Sequence, residues 1–408
     1  MRNDRLDRLA EFPFRRLTAL LAHEQPPTGR TLDLALGEPR HAPPALLAET
    51  VAAHAHLWNR YPPVLGTPEF REAVCAWLTR RFGLPASALD PDRHVVPVAG
   101  TKEALYLLPS LLTPGGRSPA VLMPDPVYAV YYGGAVMAGA TPVLLPATAA
   151  TGFLPDLEAL SSDLLGRTAL FYLCSPANPQ GAVADHEYLR RAVRLARRHG
   201  FVLAVDECYS ELWDQSPTPG ALEAALAEDS SLAGVVVFHS LSKRSSAAGL
   251  RSGFVAGDPD LLARLVRLRA YASPVQPLPL LAAATALWRD EAHVETNRAR
   301  YRAKFDLAQR RIGNRFGFYR PAGGIFLWLD VGDGEEACRR LLREAGVRVL
   351  PGSYLSAGEA AANPGSRYVR VALVDELEMV DEALGRLSDV LGRGDLQARG
   401  EAHGRVDR

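Results

Sequence analysis

Lys243 ends the stretch Ser240-Leu241-Ser242-Lys243, directly after an apolar run, and Arg251 follows eight residues later in Gly249-Leu250-Arg251-Ser252-Gly253-Phe254. A lone lysine in such a place is as a rule a solvated loop residue. Two hydroxyls and an arginine change its meaning, because hydroxyls, a guanidinium and nearby backbone amides are what a phosphate monoester dianion requires. A lysine amine beside a phosphate site points to imine chemistry with a phosphorylated aldehyde.

Asp206 closes the run Phe201–Val205 and, read alone, is a cap or turn aspartate. Beside such a lysine it has another use, since a protonated pyridine nitrogen needs a buried carboxylate partner if the ring is to act as an electron sink. Tyr209, three residues on, could bring a phenol to the ring 3′-oxygen. Asn178, in Ser175-Pro176-Ala177-Asn178-Pro179, could donate to the same oxygen, although that stretch is otherwise a turn. Gly100-Thr101-Lys102 opens a helical stretch after a short apolar run, where free amides and the helix dipole favour phosphate. Glu103 beside it reads as a favourable first-turn acid. Tyr128 could stack on an aromatic ring or serve as a core tyrosine. Arg370 sits inside Tyr368-Val369-Arg370-Val371-Ala372, a run that reads as a buried strand. A buried, unpaired guanidinium is costly, so its partner is either a bidentate substrate carboxylate or an internal aspartate.

Alternating helical and strand patterns supply the scaffold, which predicts an α/β fold with a mainly parallel sheet. Glu69 to Phe82 repeats apolar residues at helical spacing, with Phe70, Val74, Trp77 and Leu78 on one face. Short apolar runs at His94–Val98, Ala120–Met123, Ala169–Cys174, Phe201–Val205 and Gly234–His239 read as buried strands. Each is followed by a polar residue or turn, and in open parallel sheets ligands bind beyond the carboxyl ends of the strands. Asp290 to Gly313 is a long charged helical stretch, and further strands are expected at Gly324–Leu329, Val347–Leu350 and Tyr368–Leu373. Residues 1–45 read as an N-terminal segment belonging to a smaller domain, 46–290 as a large domain and 291–392 as the C-terminal part of the smaller one. Residues 393–408 read as a disordered polar tail.

Composition narrows the class. Of 408 residues, 48% are hydrophobic and 23% charged, enough for a large core in two domains. Lys plus Arg equals Asp plus Glu at 46 each, so no global field draws the chain to nucleic acid or to an anionic membrane. The four cysteines (Cys75, Cys174, Cys208, Cys338) form no CxxC pair, which argues against a zinc site or a disulfide framework. With no apolar signal core at the N-terminus and no stretch of about 20 apolar residues, a cytoplasmic protein is expected.

Taken together and in order, Gly37 in Leu36-Gly37-Glu38-Pro39, Tyr61 ahead of Leu65-Gly66, Gly100-Thr101-Lys102, Tyr128, Asn178-Pro179, Asp206-Glu207-Cys208-Tyr209, Ser240 to Lys243, Arg251 and Arg370 resemble the fold-type I pyridoxal-phosphate aminotransferases of class I/II. The resemblance runs from about Asp33 to Leu391. It implies a large domain on a mainly parallel seven-stranded sheet plus a smaller α/β domain. It also implies pyridoxal 5′-phosphate as cofactor, amino-acid and 2-oxoacid substrates, and two half-reactions. In such proteins Lys243 carries the cofactor and then shuttles a proton, Asp206 pairs with the ring nitrogen, and Asn178 and Tyr209 bond the phenolic oxygen. Tyr128 stacks on the ring, while Thr101, Lys102, Ser240, Ser242 and Arg251 hold the phosphate. Tyr61 reaches the phosphate of a second subunit, which implies a homodimer. Arg370 and the Gly37 loop, with Asn178, take the substrate.

Several stretches are similar to the N-succinyldiaminopimelate aminotransferases of lysine biosynthesis: His239 to Ser245, Gly249 to Phe254, Leu350-Pro351-Gly352-Ser353-Tyr354-Leu355, and Arg5 to Leu9 with Phe12-Pro13-Phe14. Gln180 after Asn178-Pro179 and Ala247-Ala248 before Gly249 depart from that pattern. Such a substrate has carboxylates beyond the one met by Arg370, and Arg15, Arg16, Arg40 and Lys102 are candidates for them. Alternatives are a transaminase for acetylornithine, aspartate or an aromatic amino acid, and a PLP-dependent C–S lyase. A PLP-sensing regulator is disfavoured, because no basic helix-turn-helix precedes residue 33.

Overall fold

The computed structural model describes residues 3–27, 30–272, 274–357 and 363–403, with side chains to residue 393. Twelve strands occur among them. They are β1 (Leu32–Asp33), β2 (Val95–Val98), β3 (Ala120–Asp125), β4 (Thr141–Pro146), β5 (Thr168–Cys174) and β6 (Val202–Asp206). Next come β7 (Val235–Ser240), β8 (Gly253–Gly257), β9 (Phe326–Asp330), β10 (Val347–Arg348), β11 (Leu350–Pro351) and β12 (Tyr368–Ala372).

Seven of these form one sheet in the order β2-β8-β7-β6-β5-β3-β4. From β7 to β4 all neighbours run parallel, and β8 lies antiparallel to both β2 and β7. The chain is a mainly parallel α/β fold on a seven-stranded sheet, as the sequence pattern and its resemblance imply. Every residue of β7 is buried, and β5 and β6 are nearly so. That is the signature of a sheet covered on both faces, where strands read as continuous Val-rich runs instead of alternating ones. One apolar layer packs Phe171, Leu203, Val235, Val237 and Phe254 against the helix Pro68–Phe82, and another packs Tyr172, Ala204, Val236 and Phe238 against the helix Thr101–Leu112.

The helix Pro68–Phe82 shows why these segments fold locally. The Thr67 hydroxyl accepts from the Phe70 amide, Pro68 occupies the first turn, and Arg80 and Arg81 sit in the last turn before Gly83 at φ 60°. Each feature satisfies a helix end or complements its dipole. The strand β4 and the strand β8 were not expected. Thr141–Pro146 carries two prolines, and β8 begins and ends on glycine, both of which mask a strand pattern. The expected strand at 347–350 is two strands: β10 pairs parallel with β1, and β11 pairs antiparallel with β12.

A second, antiparallel sheet runs β11-β12-β9, setting Arg370 opposite Trp328 and Leu350. Its core gathers Leu327, Leu329, Val369 and Val371 with residues from the helices Ala292–Ile312, Gly334–Ala345 and Leu377–His403. Because β1 joins β10, the N-terminal segment belongs structurally with this later part of the chain. We propose 1–45 with 291–392 as the smaller domain and 46–290 as the larger. The last helix continues to His403, correcting the expected disordered tail over 393–403. Helix propagation from an existing turn needs no new nucleus, and most of Arg393 to His403 are good helix formers. The remainder of that expectation, 404–408, lies outside the described residues. No helix among the described residues is long and apolar enough to cross a membrane.

Candidate active site

A cavity of about 650 Å³ is lined by Cys174, Asp206 and Ser240, the last residues of β5, β6 and β7. It therefore lies at the carboxyl edge of the sheet, where parallel topology places ligands. Gly37, Thr101, Lys102, Tyr128, Asn178, Tyr209, Ser242, Lys243, Arg251 and Arg370 line it as well. Of the residues to which the resemblance assigns a cofactor or substrate role, Tyr61 alone is not among the lining; it is fully exposed on this chain.

Thr101, Ser240, Ser242 and Arg251, the residues expected at a phosphate, all line the cavity. Gly100 caps the helix Thr101–Leu112 at φ 86° and ψ 143°, and a Cβ there would stand 2.1 Å from Arg251 Nη2. Only glycine fits both the backbone and the space. Arg251 itself adopts φ 54°, a left-handed conformation strained for a side chain of its size. Its guanidinium compensates by donating to Ala248 O at 3.0 Å and to Ala99 O at 3.4 Å, tying two loops together. Ser240 Oγ accepts from the Ser242 amide at 3.1 Å and lies 3.0 Å from Ser242 Oγ.

At the end of β6, Asp206 is buried, and burial pushes its carboxyl above the usual carboxylate range. Its Oδ2 accepts from the Tyr131 hydroxyl at 2.7 Å and its Oδ1 from the Cys208 amide at 3.2 Å. Tyr131 in turn stacks on Tyr172 at 4.5 Å and meets Tyr128 edge-on at 5.4 Å. A carboxyl so placed favours a cation opposite it, because neutral surroundings penalise its charged form.

Lys243 lines the cavity and donates to the Gly37 carbonyl. Burial draws its amine down to about 8, with Arg370 among the groups adding to the shift. Gly37 is needed there: a Cβ would stand 2.4 Å from the Phe326 ring. Arg370 is 5% exposed and donates to Asn178 Oδ1 at 3.2 Å and Ala35 O at 2.8 Å. Its guanidinium lies 4.3 Å from the Phe326 ring centre, and its buried Nε has no partner. No carboxylate pairs with it among the described residues, so the internal-aspartate alternative is not met. Burial lowers its pKa to about 10. With Asn178 Oδ1 engaged, the amide nitrogen is the Asn178 group left to donate.

Other expectations are corrected. Arg40 is held by Asp375, with Nη1 2.9 Å from both carboxylate oxygens, and does not line the cavity. Arg15 pairs with Glu11 and Arg16 lies 3.9 Å over the Tyr354 ring, so neither lines it either. Lys102 does, with Nζ 5.4 Å from the Phe12 ring centre. Glu103 is more than a first-turn acid: it accepts from the Ala99 amide at 2.9 Å and pairs with the buried Arg269 at 2.5 Å, which ties down the helix start. The sequence reading missed Tyr131, Glu38, Leu36 and Phe326, and gave Phe12 and Phe14 no place in the cavity they line.

The profile of the family "Aminotransferase class I and II" matches residues 30–387. The 4-dedimethylamino-4-oxo-anhydrotetracycline transaminase OxyQ of Streptomyces rimosus is 36% identical over 384 residues, covering 93% of this chain and 99% of its own. An LL-diaminopimelate aminotransferase of Desulforudis audaxviator is 34% identical over 399 residues, 95% of this chain and 97% of its own. Among solved structures, a probable N-succinyldiaminopimelate aminotransferase from Thermus thermophilus superposes with a TM-score of 0.81 at 27% identity, covering 92% of this chain and 99% of that one. Fold, cavity and family agree: the chain belongs to the class I and II aminotransferases, which depend on pyridoxal 5′-phosphate. The residues present fit that cofactor. A helix N-terminus, two serines and Arg251 suit its phosphate, the buried Asp206 suits its ring nitrogen, and the Lys243 amine shares the cavity with them and with Arg370.

Proposed function

We propose that this transaminase exchanges an amino group between glutamate/2-oxoglutarate and N-succinyl-2-amino-6-oxopimelate, whose aminated form is N-succinyl-LL-2,6-diaminopimelate. The observation that carries the amino-acid reading is Arg370, a buried guanidinium with no carboxylate partner among the described residues and an unpartnered Nε, in one cavity with Lys243. A substrate α-carboxylate supplies the missing partner in bidentate geometry.

Pyridoxal phosphate, when bound, supplies an electrophilic aldehyde and a ring that takes up the electron pair left at the substrate Cα. Lys243 anchors that group and then holds the proton removed from Cα. An amine drawn to about 8 is partly neutral near neutral pH, so it can accept and return a proton. A positioned base of this kind is worth roughly 10²–10⁴-fold. Asp206, oriented by Tyr131, would pair with the ring nitrogen and favour its protonated form. Asn178 and Tyr209 bond the phenolic oxygen and Tyr128 provides an aromatic face. Arg251, Ser240, Ser242 and the amides of Thr101 and Lys102 hold the phosphate, with Tyr61 from a second copy of a homodimer. Arg370 and the Gly37 segment orient the α-carboxylate.

The diaminopimelate assignment rests on two relatives named for such substrates and on Lys102. The cavity's cations are Lys102, Lys243, Arg251 and Arg370. With the last three assigned, Lys102 remains for a distal carboxylate. A second reading has its own observation: Phe12, Phe14 and Phe326 all line the cavity, which suits a bulky apolar acceptor of the kind the Streptomyces relative is named for. Glutamate-coupled assays with N-succinyl-LL-diaminopimelate, LL-diaminopimelate, acetylornithine, aspartate, phenylalanine and a polycyclic ketone separate these. The succinylated donor is expected to give the highest kcat/KM, and a tenfold preference for any other overturns the assignment. Lys243→Ala is expected to abolish turnover and the visible absorbance of the lysine-bound cofactor. Pyruvate or ammonia released without an acceptor would instead mark a lyase.

A further inference from the structure

A group of charged side chains lies outside the cavity, where the N-terminal segment crosses the end of β12. Lys304, on the helix Ala292–Ile312, is 1% exposed and His41 is 4% exposed. Lys304 Nζ lies 2.8 Å from His41 Nε2 and donates to Leu373 O at 2.9 Å. His41 Nδ1 lies 3.0 Å from Glu376 Oε1. This fixes the tautomer, because Nδ1–H donates to the carboxylate while Nε2 accepts from the lysine. The Tyr301 ring centre is 4.5 Å from Lys304 Nζ, and Arg40 pairs with Asp375 alongside. No carboxylate pairs directly with Lys304 among the described residues. A lysine buried in this way is costly unless it does something its apolar counterpart could not. Burial draws it to about 7, with Glu376 and Asp375 opposing the shift and Arg300 adding to it.

The two elements joined by this contact are those that build the substrate end of the cavity. One is the segment Ala35–His41, whose Ala35 and Gly37 carbonyls receive Arg370 and Lys243. The other is β12 with its continuation through Leu373, which carries Arg370. The backbone between them has few bonds of its own: Ala372 N to Leu34 O at 2.8 Å and Arg40 N to Val374 O at 3.2 Å.

We propose that Lys304 is a positioning residue for the α-carboxylate site: through His41 and Leu373 it clamps the Ala35–His41 segment against the strand bearing Arg370, and so sets the affinity for the amino acid. The proposal rests on reading Arg370 and the Gly37 segment as that site. Its role is hydrogen bonding at a fixed spacing, so a neutral donor on a side chain one atom shorter recovers most, not all, of what the ammonium does.

The test uses the holoenzyme with glutamate as donor. Lys304→Met is expected to raise KM about tenfold, the scale of one lost buried hydrogen bond, with kcat changed less than about twofold. Lys304→Gln, which keeps two N–H donors, is expected to restore KM to within about threefold of wild type. Glu376→Ala, at the exposed end of the chain of bonds, is expected to raise KM in the same direction by a smaller factor, and it keeps the question answerable if Lys304→Met does not fold. Hydrogen exchange of the 35–41 amides should quicken in each variant whose KM rises. The proposal is overturned if Lys304→Met lowers Tm but leaves KM unchanged, if Lys304→Gln is as impaired as Lys304→Met, or if Glu376→Ala has wild-type KM. Arg370→Leu separates this from the underlying reading. If it leaves KM unchanged, the α-carboxylate site itself is misassigned. If it raises KM while Lys304→Met does not, only the positioning role fails.

Discussion

Replacing Gly100 by alanine should weaken cofactor binding as well as strain the fold. At φ 86° and ψ 143° the position lies in a region open essentially to glycine, and forcing another residue there costs about 1–3 kcal/mol. The new Cβ would also sit 2.1 Å from Arg251 Nη2 and 2.8 Å from its Cζ. That guanidinium is the far end of a flexible side chain, so it would swing away, giving up its 3.4 Å contact to Ala99 O and its place at the phosphate site. A hydrogen bond to a charged group is worth about 1.5–3 kcal/mol. At 1.4 kcal/mol per tenfold, cofactor Kd should rise roughly ten- to hundredfold. The assay is equilibrium titration of the apo-protein with pyridoxal phosphate, followed by absorbance and by Tm. Gly115→Ala is the control, because a Cβ there meets nothing within 4 Å. If Gly100→Ala binds the cofactor within twofold of wild type, the account of a shared Gly100–Arg251 cradle is wrong.

Two further outcomes follow from the same geometry. Tyr131→Phe removes the 2.7 Å donor to Asp206, whose carboxyl burial already pushes upward. Since Asp206 must be ionised to face a ring cation, the acidic limb of the pH profile of kcat/KM should move to higher pH by about one to two units. An unmoved limb refutes the role given to Tyr131. The rate at which the apo-protein takes up pyridoxal phosphate should rise with pH through about 8 and then level, because the neutral amine is the nucleophile and burial lowers the pKa of Lys243 to that value. A rate still climbing near pH 10 would show an unperturbed lysine.

That the residues assigned to the cofactor would share one cavity could be read from the chain because each stands near a strand end. Asp206 and Ser240 close buried strands, and Thr101 opens a helix after one, so sequence order maps onto one sheet edge. Arg370 was legible for a different reason, as a charge inside an apolar strand that had to have a partner. What stayed hidden depends on contacts between distant segments. Tyr131 meets Asp206 across 75 residues and Lys304 meets His41 across 263, and neither has a local pattern to mark it. Arg40 misled in the same way, since its basic character is visible in sequence but its partner Asp375 is not. That Phe12 and Phe14 line the cavity needed the N-terminal segment to be placed against it, which no periodicity specifies.

The position of β8 has a consequence for how the protein becomes competent. It is the last strand of the large sheet to be synthesised, yet it lies between β2, the first, and β7. Arg251 stands just before β8 and Gly100 just after β2, so the Gly100–Arg251 cradle proposed for the phosphate comes into being only when the final strand threads between its two neighbours. Any partly built sheet lacks the cradle altogether. Binding of a cofactor phosphate there would report, and by mass action reward, completion of the whole layer, a reward that the cofactor-free protein goes without.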